Sequence, residues 1–162
     1  MRFDHVNSYA AAPDAVYAML TDASFREEVC AYIRSTDYAV AVADEDGRVQ
    51  VRVEQTQIPR KLPAIAAKVV GDSVQIVQTE DWSAPGQADF AMEIPGKPGH
   101  LRGSIRLTPT STGTDQVFTG EVKVQVPLVG GKLEGLVADL LRKALAAEGR
   151  VGEKWLSGES QA

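Results

Sequence analysis

The sequence predicts an α+β fold in which a curved antiparallel sheet of about six to seven strands wraps a long C-terminal helix, with two short helices after the first strand. Three observations carry this. Apolar residues alternate with period two through most of the chain, the period changes to 3.6 after Gly130-Gly131, and helical spacing interrupts the strands once, just after the first of them.

Residues 2 to 10 set Phe3, His5, Asn7 and Tyr9 against Asp4, Val6 and Ser8, a first strand ended by Ala12-Pro13-Asp14. Pro13 suits a first helical turn, and Val16, Tyr17, Met19 and Leu20 form a short apolar stripe behind it. Thr21 or Asp22 caps a second helix carrying Phe25, Val29, Tyr32 and Ile33. Tyr38, Val40 and Val42 lead into Asp44-Glu45-Asp46-Gly47, and Val49, Val51 and Val53 lead away, which is hairpin chemistry. Pro59 and Pro63 break strand character between Ile58 and Val70, where a loop and a short helix near Ala64 to Val69 are expected. Strands return at Ser73 to Trp82, Ala88 to Ile94, Leu101 to Thr108 and Gln116 to Val126, separated by Pro- and Gly-rich turns. A helix from Lys132 to Leu156 then places Leu133, Val137, Leu140, Leu141, Ala144, Val151 and Trp155 on one stripe. One helix cannot cover so large a flat sheet, so the sheet must curl, which leaves room inside. The reading is one domain over residues 1–156 and a polar tail at Ser157 to Ala162.

At 162 residues the chain suits one core, and 44% apolar with 24% charged residues is an ordinary globular composition. A net charge of -5 without a Lys/Arg run disfavours nucleic acid as a partner. No apolar run approaches the roughly 20 residues of a membrane span. No secretory leader is apparent, so a cytoplasmic protein, monomer or weak homodimer, is expected. Cys30, the single cysteine, excludes an internal disulfide and reads as a buried helix residue rather than a nucleophile.

Ala12-Pro13-Asp14-Ala15-Val16-Tyr17 after the first strand, Leu20-Thr21-Asp22 with Phe25, and the terminal helix following a Gly pair resemble the START-like superfamily, also called the helix-grip or polyketide-cyclase-like fold. Thr79-Glu80-Asp81-Trp82, Pro127 to Glu134 and Trp155-Leu156 are similar to an actinobacterial domain-of-unknown-function family within it. The resemblance implies a hydrophobic or amphipathic small molecule held between the long helix and the sheet. It transfers no reaction.

Glu148 falls inside the apolar stripe, between Leu141, Ala144, Val151 and Trp155, where a carboxylate is costly unless paired or wet. It reads either as a polar anchor or acid/base group in the cavity, or as a carboxylate at the cavity mouth, solvated or paired with a sheet Arg or Lys. Gln55 and Gln57 continue the face of Val53, and Gln78 and Glu80 that of Ile76, unless a bulge reverses the phase. Trp82, Phe90, Met92, Leu141, Ala144 and Trp155 are the candidate apolar walls, and a phenol among Tyr9, Tyr17, Tyr32 and Tyr38 can serve a ligand oxygen. Glu148 and Glu80 are the candidate catalytic groups. His5 and His100 make neither a triad nor a metal site, and no cofactor is expected. The leading reading is a carrier or sensor of a lipid-, polyketide- or isoprenoid-like ligand. An enzyme of cyclase, dehydratase or hydrolase type is the alternative. A third reading is an interaction module using the Pro59 to Val70 segment, which otherwise reads as a gate to the cavity.

Overall fold

The computed structural model describes residues 1–59 and 62–158. Its elements run β1 (Arg2–Tyr9), α1 (Pro13–Leu20), α2 (Ala23–Tyr32), β2 (Asp37–Glu45), β3 (Arg48–Gln57), α3 (Ala64–Val70), β4 (Val74–Ala84), β5 (Gln87–Glu93), β6 (Gly99–Pro109), β7 (Thr114–Val124) and α4 (Gly130–Leu156). The sheet is seven-stranded and antiparallel in the order β1-β7-β6-β5-β4-β3-β2. Consecutive strands from β2 to β7 are neighbours in the sheet. The exception is the step from β1 to β2, which crosses from one sheet edge to the other. α1 and α2 make that crossing, and α2 is thereby carried over the sheet's inner face and against α4.

Local chemistry explains the elements. Asp22 caps α2 by accepting the Ser24 amide at 2.8 Å. Asp46 and Gly47, both with positive φ, form the two-residue turn of the β2–β3 hairpin. Val49, Val51 and Val53 are buried in strict alternation, and Val51 lies opposite Glu80 of β4. The bulge in β4 falls only between Trp82 and Ala84, so the inward phase of Ile76, Gln78, Glu80 and Trp82 is uninterrupted. The segment Pro59 to Val70 contains α3 as predicted, with Ala66 buried. Residues 60 and 61 of that gate segment, and 159–162 of the polar tail, lie outside the described residues.

α4 lies against β1, β7, α1 and α2. Its buried face holds Leu133, Ala138, Leu145, Glu148, Val151 and Gly152, whereas Leu140, placed on the apolar stripe by periodicity, is 49% exposed. On nearly the same side of the helix Leu133, two turns earlier, is buried, and towards the C-terminal end Phe25 of α2 stacks edge-on against Trp155 at 5.6 Å. Gly149 and Gly152 let α4 approach β1 closely. A Cβ on Gly152 would stand 2.6 Å from Tyr9 Cε1, and one on Gly149 2.7 Å from Asn7 Oδ1. Gly152→Ala should therefore lower stability by about 1–3 kcal/mol, as overpacking does, measured by chemical denaturation.

Candidate functional site: a buried charge network between the helices and the sheet

The interior holds charge where an apolar core was the simplest solution. Arg26 of α2, Glu80 of β4 and Glu148 of α4 are each 3% exposed or less. Arg26 lies between the two carboxylates: its Nη2 donates to Glu80 Oε1 at 2.6 Å and its Nη1 to Glu148 Oε1 at 2.9 Å. Its Nε donates to the Leu20 carbonyl at 2.8 Å, which fixes the guanidinium plane from the end of α1.

Neutral groups complete the shell. Gln78 Nε2 donates to Glu80 Oε2 at 2.7 Å and the Trp82 indole N–H to Glu80 Oε1 at 3.1 Å. On the other side Gln116 Nε2 donates to Glu148 Oε2 at 3.1 Å. Gln116 Oε1 in turn accepts from Tyr9 Oη at 3.0 Å and from Asn7 Nδ2 at 3.3 Å. Asn7 also donates to the Leu145 carbonyl at 2.9 Å, and its Oδ1 lies 2.8 Å from His5 Nε2. Because the Asn7 amide nitrogen donates to both neighbours, its oxygen accepts, and His5 carries the shared proton on Nε2. Among the described residues no buried side-chain nitrogen or oxygen lacks a partner.

The three charges sum to -1, since one guanidinium serves two carboxylates. Burial, followed by the repulsion of Glu80, holds the Glu148 carboxyl above its ordinary value against the attraction of Arg26 and the hydrogen bond from Gln116. For Arg26 burial opposes the charged form, but the two carboxylates outweigh it and the guanidinium is held charged. Burial, then the charge of Glu148, keeps the Tyr9 phenol un-ionised. Away from this network, burial pushes the Cys30 thiol up to about 11, which leaves it unreactive near neutrality.

A family model described as Protein of unknown function (DUF2505) matches residues 4–156. The chain belongs to the DUF2505 family. Mycobacterial relatives, described as Uncharacterized protein Mb0491c of Mycobacterium bovis and Uncharacterized protein Rv0481c of Mycobacterium tuberculosis, are each 25% identical over 119 residues, or 70% of this chain and 68% of theirs. Among solved structures, TTHA0849 from Thermus thermophilus is 20% identical, with a TM-score of 0.66, and the match covers 99% of this chain and 100% of that one. A START superfamily protein from Mycobacterium smegmatis is 17% identical, with a TM-score of 0.59 and coverage of 93% and 96%. The di-domain ARO/CYC StfQ from the steffimycin biosynthetic pathway is 12% identical, with a TM-score of 0.66, and the match takes in 97% of this chain and 51% of that one. These likenesses establish a START-like fold.

In this DUF2505 protein the predicted site residues divide into groups. Glu148, Glu80, Gln78 and Trp82 come together in the network. Glu148 is buried and its cation comes from helix α2, so it is neither the solvated nor the sheet-paired carboxylate of the mouth reading. Gln55, buried, and Gln57, half-buried, form a separate cluster, in which Gln57 Nε2 donates to Gln55 Oε1 at 2.9 Å and Ser35 Oγ donates to Gln55 Oε1 at 2.6 Å. Phe90 stacks edge-on against Phe118 at 5.5 Å and Met92 lies opposite Gln78. Leu141, Ala144 and Trp155 are half-buried along α4. Sequence reasoning did not single out Arg26, Gln116 or Asn7. Two inward carboxylates without a sequence-visible cation were the signal for the first, and the inward phase of Phe118 and Val122 the signal for the second.

Two depressions on the surface are each large enough for a small molecule. One, of about 660 Å³, lies on the outer face of the sheet among Arg2, His100, Arg102, Gly120 and Lys123. The other, of about 490 Å³, lies between the ends of α2 and α4 at Tyr32, Arg150 and Lys154. Both are outside the space between α4 and the sheet. Inside that space the buried polar groups bond to one another.

The raised carboxyl of Glu148 has a consequence for stability. A carboxyl held above its ordinary 4.5 in the folded state strengthens folding most when pH is below 4.5, and that contribution is lost as pH rises through the folded value. The stability difference between wild type and Glu148→Gln should therefore shift in favour of the wild type as pH falls through this window. Parallel urea titrations across that range check it.

Proposed function

We propose that this protein binds an amphipathic small molecule between α4 and the sheet, with the ligand's polar end served by the Arg26–Glu80–Glu148 network. The observation that carries the reading is the buried triad itself. Replacing such a group by well-packed apolar residues is often neutral or stabilising, so stability alone gives little reason to keep it. The START-like fold supports the location, and the apolar residues Trp82, Phe90, Met92, Leu141, Ala144 and Trp155 would meet the ligand's lipid-, polyketide- or isoprenoid-like body. Gln55 and Gln57 would hold a second polar group. Because the network is internally satisfied, a ligand has to exchange for one of its bonds. The neutral bonds among Tyr9, Gln116 and Asn7 are the weakest and so the most readily exchanged. A net charge of -1 suits a hydroxyl, carbonyl or amine end better than a carboxylate.

A second reading rests on Glu148. A carboxyl held above its ordinary value can donate a proton, so an activity of the ARO/CYC type named for StfQ would use Glu148 as general acid beside Tyr9. Thermal shift with chain-matched alcohols, amines and carboxylates tests the first reading. Alcohols or amines should raise the melting temperature of wild type and fail with Arg26→Met or Tyr9→Phe/Gln116→Leu. No shift with any of them defeats binding, and turnover of a bound polyketide-like substrate that is lost in Glu148→Gln while binding persists moves the assignment to the second reading.

A further inference from the structure

One end of the molecule carries an exposed apolar tip on an otherwise acidic protein. Register places the C-termini of β3, β5 and β7 and the N-termini of β4 and β6 at the same end of the sheet. Their connections meet there. The Gln125 amide donates to the Pro98 carbonyl at 2.7 Å, tying the β7–α4 linker to the β5–β6 turn, and a Cβ on Gly71 at the end of α3 would lie 3.9 Å from Lys97 Nζ. Leu128 in the β7–α4 linker is fully exposed, at 105% relative accessibility, and has φ 70, a backbone conformation that side chains other than Asn and Asp rarely adopt. Ile58, where β3 ends, is 54% exposed. The Gly130 amide donates to the Val126 carbonyl at 3.0 Å and closes the turn around Leu128, but the leucine side chain stands in water, and strained residues of this kind cluster at functional sites.

Charge is segregated about the same axis. Lys68, Lys97 and Lys132 are exposed at this end and meet no carboxylate among the described residues, while of the acidic groups there Glu93 pairs with Arg102, Glu134 is engaged by the N-terminus and Asp72 follows Gly71 in the chain. The opposite end collects Asp14, Asp44, Glu45, Asp46 and Asp115, all but Asp115 exposed. Against the net charge of -5, these three lysines lie at the end that carries Leu128.

We propose that this end docks on an anionic lipid bilayer, with Leu128 entering the acyl boundary and Lys68, Lys97 and Lys132 at the phosphates. An apolar anchor that shares one end of the molecule with three lysines matches the two attractions a bilayer surface offers, hydrophobic burial at one point and a negative surface around it. The inference does not rest on the ligand-binding reading.

The test is co-sedimentation of the full chain with vesicles of phosphatidylcholine alone and of phosphatidylcholine mixed with phosphatidylglycerol. Binding is expected to the mixed vesicles only and to be lost at high salt. Leu128→Asn, which suits positive φ and so preserves the fold, should weaken binding by at least about tenfold, and Lys97→Gln or Lys132→Gln by about fivefold each. Absence of binding to mixed vesicles, or Leu128→Asn binding like wild type, overturns the proposal. Failure to sediment with lipid together with salt-sensitive retention on immobilised polyglutamate overturns it in favour of an acidic protein partner.

Discussion

Arg26→Met should cost about 3–5 kcal/mol of folding stability at neutral pH, because it leaves Glu80 and Glu148 buried without their cation. In a chain of this length that corresponds to a fall of roughly 6–20 °C in melting temperature. The loss has a pH signature. With Arg26 gone, Glu148 loses the attraction that opposes its burial and is held still further above its ordinary value in the folded state, so the deficit must shrink as pH falls. A cavity alone gives a deficit that does not depend on pH. Differential scanning calorimetry at pH 7 and pH 5 separates the two, and an equal loss at both would show that the guanidinium acts only by filling space.

Trp82→Ala should cost a similar amount, about 3–5 kcal/mol, since a fully buried indole is removed from the contact with Tyr17 and its partners on the sheet. Trp82→Phe divides that figure. It keeps most of the volume but withdraws the N–H from Glu80 Oε1, whose carboxylate then depends on Arg26 and Gln78 for its remaining bonds. Loss of a hydrogen bond to a buried carboxylate predicts about 1.5–3 kcal/mol for the phenylalanine variant. Urea denaturation of both variants checks this, and a Trp82→Phe protein as stable as wild type would mean that the indole serves by packing alone.

Much of this was legible in the chain. Val49, Val51 and Val53 set a phase that Gln55 keeps, and Ile76 sets one that Gln78 and Glu80 keep, so the inward polar groups of β3 and β4 followed from period two once no bulge intervened. Glu148 followed from the helical wheel of α4. Arg26 did not, because Phe25 and Val29 define the stripe of α2 and an arginine beside them reads as solvated. Only the crossing of α1 and α2 from one sheet edge to the other turns that position inward. Cys30, four residues on, was the local hint, as it belongs to a residue type usually buried and shares the face of Arg26. Leu140 failed for the converse reason. Periodicity marks the apolar side of a helix but not which of its turns the neighbouring elements cover: Leu133 and Val151 are buried on nearly the side where Leu140 is exposed.

The central claim is that the buried triad is kept for a ligand and not for stability, and native mass spectrometry of Arg26→Met/Glu80→Leu/Glu148→Leu beside wild type tests it most directly. With the fold confirmed by circular dichroism, the account predicts a stoichiometric small-molecule adduct on the wild type and none on a triple variant at least as stable. An adduct retained by the triple variant, or a triple variant several kcal/mol less stable than wild type, would contradict it.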